Sequence, residues 1–259
     1  MDIRSFNRDA WDRQVQSGKN PWTVPVSPEL IARARMGDWS IVLTENKPVP
    51  PEWFPPLQGL KVLGLACGGG QQGPIMAAAG AEVTIFDNSP AQLARDQEVA
   101  ARDNLNLRTV EGDMRDLSIF ADESFDLIFH PVSNLFIHEI KSVWKEAYRV
   151  LRRGGTMLAG FMNPVLYLFD WEDMEKGIME VKHKIPFSDM ETYGPERLLQ
   201  EDRPAEFGHS LSAQLAGQTD AGFAIIGFYE DHHSQVKLSE YIETYIATRA
   251  VKLTLKEKQ

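Results

Sequence analysis

The sequence predicts an α/β protein, a mostly parallel sheet with helices on both faces, and three observations carry that prediction. Strand-like apolar runs alternate with helix-like stretches from KVLGLA to TMLAGF, the rhythm of linked βαβ units. The first of these strands runs into a glycine-rich turn, ACGGGQQG, that opens a helical pattern, the arrangement used for nucleotide binding in open α/β sheets. The chain then closes with AIIGFYED and YIETYIATRAVKL, which a short loop can pair as an antiparallel ribbon.

Each element follows in order. Residues 1–47 mix tryptophans, charges and scattered apolar positions, with a helix expected over SPELIARARMG, capped by Ser27 and begun by Pro28. Proline in KPVPPEWFPP fixes φ and removes backbone donors, so an extended connector is expected there. This divides the chain into an N-terminal segment, 1–56, and a main domain, 57–259. Strand KVLGLA precedes helix PIMAAAG; strand AEVTIFD precedes helix SPAQLARDQEVAARD; strands LRTVEGD and FDLIFH follow, then helix EIKSVWKEAYRVL and strand TMLAGF. After Phe161 the rhythm stops. Residues 163–209 are rich in aromatics, carboxylates and breakers and are too long for an ordinary connection. A lid-like insertion is expected, followed by a helix over SLSAQLAGQTDAGF and the closing ribbon.

Composition narrows the function classes. With 259 residues, 43% of them hydrophobic and 25% charged, the chain can bury a full core. Its 37 acidic against 27 basic side chains, net −10, repel a phosphate backbone and argue against polymeric nucleic acid as substrate. The single cysteine, Cys67, excludes an internal disulfide and a cysteine-built metal site. The opening MDIRSFNRDAWDRQV lacks the apolar core of a signal peptide, and no apolar run is long enough to span a bilayer. A cytoplasmic address is expected, without membrane partners. Nothing in the pattern reads out an oligomeric state.

Two cofactor fingerprints overlap on the glycine turn. Gly68, Gly70 and Gly73 satisfy G-x-G-x-x-G, which suits a dinucleotide, but Gly68 falls late relative to the end of strand VLGLA. Counted from Val62, the turn instead resembles the apolar-acidic-apolar-G-x-G-x-G run of class I S-adenosylmethionine-dependent methyltransferases, with Ala66, Gly68 and Gly70 in its three glycine positions. VTIFDNSPAQL, VEGDMRDL and FDLIFH are similar to the next three motifs of that family. VWKEAYRVLRRGGTMLAGF resembles the helix, glycine turn and strand that follow in members near the ubiquinone/menaquinone-biosynthesis group. The resemblance implies a Rossmann-like seven-stranded sheet, mostly parallel, with an antiparallel last strand. It also implies S-adenosylmethionine as cofactor and S-adenosylhomocysteine as product. The implied cofactor residues are Gly64, Ala66, Gly68, Gly70, Asp87 for the ribose hydroxyls, Asn88, Asp113 for the adenine amino group, and Met114 for the ring. Two positions depart from the family pattern: Gly64 stands where the acid belongs, and Ala66 where the first glycine belongs.

The remaining polar residues carry weaker signals. His130 ends the fourth strand, at the edge where open sheets bind ligands, and is either a general base or a hydrogen-bonded structural histidine. His138 is expected to be structural or exposed. His183, His232 and His233 have no metal-ligand spacing and are expected in solvated loops, so no metal is expected. His209 precedes a helix and is expected to face substrate, with Tyr167 and Trp171 of YLFDWEDM as pocket walls and Asp170 or Asp173 near a polar group. The competing reading of that run is an amphipathic helix packed on the domain. Trp11 and Trp22 either fold over the cofactor mouth or anchor the N-terminal segment. Cys67 lacks a histidine partner and is read as a packing residue, not a nucleophile. The expected function is transfer of a methyl group to a small molecule. The alternatives are a catalytically silent nucleotide-binding protein of the same fold and an NAD-dependent oxidoreductase.

Overall fold

In the computed structural model, which describes residues 2–254, the chain runs as α1 (Ile3–Ser17), α2 (Pro28–Arg35), β1 (Lys61–Leu65), α3 (Gln72–Ala78), β2 (Glu82–Asp87), α4 (Pro90–Asp103), β3 (Leu107–Glu111) and β4 (Phe125–His130). It continues through α5 (Lys141–Val150), β5 (Leu151–Met162), α6 (Trp171–Glu175), β6 (Phe187–Ser188), α7 (Asp189–Thr192), α8 (Pro195–Gln200), β7 (Phe207–Gly208), α9 (Gly217–Ala221), β8 (Ala224–Asp231) and β9 (Tyr245–Val251). The main sheet has seven strands in the order β3-β2-β1-β4-β5-β9-β8. Strands β1 to β5 pair in parallel, and β9 runs antiparallel to both β5 and β8. This is the seven-stranded, mostly parallel Rossmann-like sheet that the motifs imply.

Burial explains why the inner strands form. Val62, Leu63 and Leu65 of β1 and Leu127, Ile128 and Phe129 of β4 are fully buried, as expected of strands covered by helices on both faces. One face packs against α5 through Val143, Trp144 and Ala147. The other includes Met76 of α3 and Leu93 of α4. The proline-rich connector and the residues just before it pack into this second core. Ile41, Leu43, Val49 and Trp53 are buried with Val62 and Phe129, and Trp53 lies 5.3 Å from the ring of Tyr229.

The helix expected before the ribbon begins with a π turn, Ser212–Ala216. The buried Trp144 indole N–H donates to the Ala213 carbonyl at 3.1 Å, and a carbonyl turned towards a side chain is a recognised disturbance of the helical ladder.

Helix α1 was not marked by the sequence reading. Asp2 caps it by accepting from the Arg4 N–H, and it lies between α4 and the insertion. Asp12 accepts from Ser89 Oγ and from the Ala91 N–H of α4, while Arg13 pairs with Asp202 and Gln14 donates to the Asp202 carbonyl. The insertion has a small core of its own, Leu166, Tyr167, Met174 and Phe187 with Met162 and Tyr245 of the sheet. Segment 163–209 therefore folds over the carboxyl ends of the parallel strands and meets α1 from the other side.

Candidate active site

The carboxyl ends of β1 to β5 converge on a cavity of about 710 Å³, within the roughly 300–1,000 Å³ typical of small-molecule sites. Ala66, Cys67 and Gly68 line it after β1, Asp87 and Asn88 after β2, Gly112 to Arg115 after β3, Pro131 to Ser133 after β4, and Met162 at the end of β5. The insertion contributes Tyr167, Phe169, Trp171, Asp189 and Glu206, and the N-terminal segment contributes Arg4, Asn7, Trp11, Trp22 and Glu45.

The glycine turn is held from inside the protein. The Gly68 N–H donates to Asp87 Oδ2 at 2.9 Å, and the Gly69 N–H donates to Asp96 Oδ2 at 3.0 Å. These two amides consequently serve the turn itself and not a ligand. Gly69 has φ +117°, and a Cβ there would sit 2.4 Å from the Trp22 carbonyl oxygen; the N-terminal segment packs that closely over the turn. Ala66 adopts φ +48°, which for an L-residue costs about 1–2 kcal/mol, so the missing first glycine is tolerated with some backbone strain. Burial pushes the carboxyl of Asp96 up to about 8, against the pull of the loop amides.

Of the residues named for cofactor binding, Ala66, Gly68, Asp87, Asn88, Asp113 and Met114 line the cavity; Gly64 and Gly70 do not. Gly64 lies within β1, and a Cβ there would meet Ile85 Cδ1 at 2.6 Å. The volume an acid would need is occupied by isoleucine. Gly70 packs against the backbone of Arg95 and accepts from the Val26 N–H, making it a structural contact of the turn. Asp87 is fixed by a second amide, that of Ser89, on Oδ1 at 3.0 Å, while Ser89 caps α4. Burial raises the Asp87 carboxyl against these amide bonds. Asn88 is tied to Arg4 of α1 in both directions, at 2.9 Å each. Arg115 grips Asp113 bidentately, at 3.0 and 2.6 Å. Burial would raise that carboxyl, but the bonds to Arg115 outweigh it and hold it below its ordinary value.

The histidines differ most from expectation. His130 is fully buried beneath the site and does not line the cavity. Its Nδ1–H donates to the Leu65 carbonyl at 2.8 Å, its ring meets Trp144 edge-on, and Nε2 has no partner among the described residues. Burial pulls its pKa down to about 4 despite the Leu65 bond. This placement, buried and outside the cavity lining, favours the structural of the two readings of His130. His209 is also turned away: its Nε2 is held between the carbonyls of Asn134 and Ile137, at 3.2 and 2.9 Å, outside the cavity lining. His233, expected in a solvated loop, instead lines the cavity, stacked on Tyr245 and 3.6 Å from Glu45. His138 lines it as well. Cys67 is buried in the wall, its thiol pushed well up by burial and then by Asp96 and Asp87, as befits a packing residue.

Tyr167 and Trp171 both line the cavity. Trp171 is 42% exposed at its rim, whereas Tyr167 is buried, stacked on Phe187 at 5.4 Å, and donates its hydroxyl proton to Glu206 Oε2 at 3.0 Å. Burial and then the neighbouring Asp189 push the Glu206 carboxyl up to about 7, against the pull of Tyr167 and Arg203. The sequence reading missed Glu206. It sits in RPAEFGHS, where no motif or period singles out one acid among many. Asn7 was missed along with α1, although Asp2 and Gly18 at its ends were readable cap signals.

Comparison with known proteins decides the family. A methyltransferase domain family matches residues 63–159. An uncharacterized methyltransferase of Bacillus subtilis (strain 168), YbaJ, is 53% identical over 252 residues, covering 96% of this chain and 98% of that protein. The chain belongs to the class I S-adenosylmethionine-dependent methyltransferases. This methyltransferase shares its fold with an S-adenosylmethionine-dependent methyltransferase from Mesorhizobium loti, at TM-score 0.58 and 17% identity over 77% of this chain and 94% of the other. It also shares the fold with the [4+2]-cyclase SpnF, at TM-score 0.54 and 18% identity over 76% of each chain. Fold alone therefore does not assign a reaction; the relationship along nearly the whole chain does. Membership in this family disfavours both the oxidoreductase and the silent-binder readings. Among the described residues no helix is long and apolar enough to cross a membrane.

Proposed function

We propose that the methyltransferase binds S-adenosylmethionine at the β1–β3 end of the cavity and methylates a small molecule held at the insertion end. The observation that carries this is the single continuous cavity, walled at one end by motif residues and at the other by the aromatic insertion. The residues fit the cofactor. Asp87 lines the cavity with a carboxylate already oriented by two amides, which suits a vicinal diol. Met114 offers apolar contact to a purine, with Asp113 beside it. When bound, the cofactor supplies an activated methyl on sulfur.

The protein's part is then to hold the acceptor in line and keep water out, which in good cases contributes about 7–11 kcal/mol. Tyr167 and Trp171 serve as acceptor walls. Helix α1 and the insertion close the cavity from two sides, which shields the reacting atoms. The proposal includes a cytoplasmic site of action, in keeping with a lone buried thiol. Calorimetric titration of the ligand-free protein with S-adenosylmethionine, S-adenosylhomocysteine and NAD tests it. Binding of the first two without NAD is expected; NAD alone, or none of the three, refutes it.

A further inference from the structure

The charged groups around the insertion end of the cavity are unequally engaged. Arg203 is paired with Asp189 and Glu201, and Arg197 with Glu172 and Glu201. At the other end Arg115 is held by Asp113 and Arg4 by Asn88. An anionic ligand thus finds both arginines at the insertion end already paired with carboxylates, while Arg4, at the other end, bonds the neutral Asn88 amide. Asp170 caps α6 and accepts from the Tyr193 hydroxyl at 3.0 Å. Glu206 is different. It receives only the Tyr167 hydroxyl, on Oε2, and Oε1 has no hydrogen-bond partner among the described residues. Beside its partner Tyr167 the lining carries the apolar and aromatic cluster of Met162, Leu166, Met174, Phe187 and Tyr245, and the charged groups that act on it are Asp189 and Arg203.

From this inventory we propose that the methyl acceptor is an amine on an apolar body, its nitrogen bound by the Glu206 carboxylate. This rests on the cavity being the methyl-transfer site. A carboxylate beside aromatic faces recognises an organic ammonium by charge and by cation–π attraction. In the complex the nitrogen sheds one proton to Glu206 Oε1: the ammonium becomes an amine with a free lone pair as the carboxylate becomes a carboxylic acid. The groups that bear on Glu206 suit both tasks. Asp189 of α7 raises its proton affinity, Tyr167 and Arg203 lower it, and the Tyr245 hydroxyl of β9 lies within its field.

The test is calorimetry on the full chain, with and without S-adenosylhomocysteine, using phenethylamine and decylamine against 2-phenylethanol and 3-phenylpropionate. The amines are expected to bind at least 10-fold more tightly than the alcohol or the acid. At pH 6 their binding is expected to release protons, read as a heat that changes with the ionisation enthalpy of the buffer. Glu206→Gln, which retains an acceptor for Tyr167, is expected to lower amine affinity at least 10-fold and to abolish the buffer dependence. Glu206→Asp retains part of both. Failure of all amines to bind, preference for the acid, or unchanged amine affinity in a folded Glu206→Gln protein overturns the proposal. Amine binding without any S-adenosylhomocysteine binding would instead refute the methyl-transfer reading and leave the amine site standing.

Discussion

Replacing Asn7 by alanine tests whether α1 is a structural part of the active site. The Asn7 side chain is 3% exposed and pairs with the insertion as a neighbouring strand would: Nδ2 donates to the Ala205 carbonyl at 3.0 Å, and Oδ1 accepts from the Ala205 N–H at 2.7 Å. Nδ2 also donates to the Phe136 carbonyl at 2.7 Å. Alanine removes all three bonds. Phe136 is half-buried, so water can replace its lost partner, but Ala205 is fully buried and its two backbone groups are left unpaired. At about 1–3 kcal/mol for each such group, the loss over the two is expected to be about 2–6 kcal/mol. For a chain of this size that corresponds to a fall in Tm of roughly 4–24 °C. Because Ala205 adjoins Glu206, hydrogen exchange at residues 203–208 is expected to quicken while the sheet stays protected. Thermal denaturation and exchange mass spectrometry read both effects. A loss below about 1 kcal/mol with unchanged exchange at Ala205 would refute the argument that α1 clasps the insertion.

Other outcomes follow from the same geometry. Asp87→Ala is expected to weaken S-adenosylhomocysteine binding at least 10-fold, since it removes a carboxylate placed for the ribose diol and also frees the Gly68 amide; calorimetry giving equal affinity would exclude Asp87 from the ribose site. His130 has a folded pKa of about 4, below its unfolded value, so its contribution to stability is present above pH ~6.5 and is lost as pH falls through 4. The loss is about 3 kcal/mol, and His130→Asn should show a shallower acid limb in urea denaturation; matching limbs would disprove it. Asp96 behaves oppositely. Its folded pKa of about 8 lies above the unfolded one, so its contribution is complete below pH ~4 and fades as pH rises through 8. Asp96→Asn keeps an acceptor for Gly69 without the ionisation, and its stability relative to the parent is expected to increase between pH 6 and 9. A constant difference across that range would count against a buried, protonated Asp96.

The parallel sheet was legible because its strands are buried on both faces and separated by helical patterns, so period and punctuation alone distinguish them. The glycine turn, Asp87 and Asp113 were legible because their positions are fixed by short distances along the chain, from a strand end to the residue just beyond it. Local spacing survives folding unchanged. Which polar groups face the cavity is a different kind of fact. His130 stands at a strand end, as its sequence position says, yet the Leu65 carbonyl draws its ring inward; Gly64 stands in the motif, yet Ile85 takes the space an acid would need. Asn7 and Ala205 are 198 residues apart, and Glu206 acquires its character from Tyr167, Asp189 and Arg203, which lie on separate elements. Burial and proton affinity depend on what the whole chain brings to one place. The sequence by itself thus determined the scaffold and the motif residues that line one end of the cavity, and only tertiary structure decided the insertion end, because that end is assembled from segments whose sequences carry no record of one another.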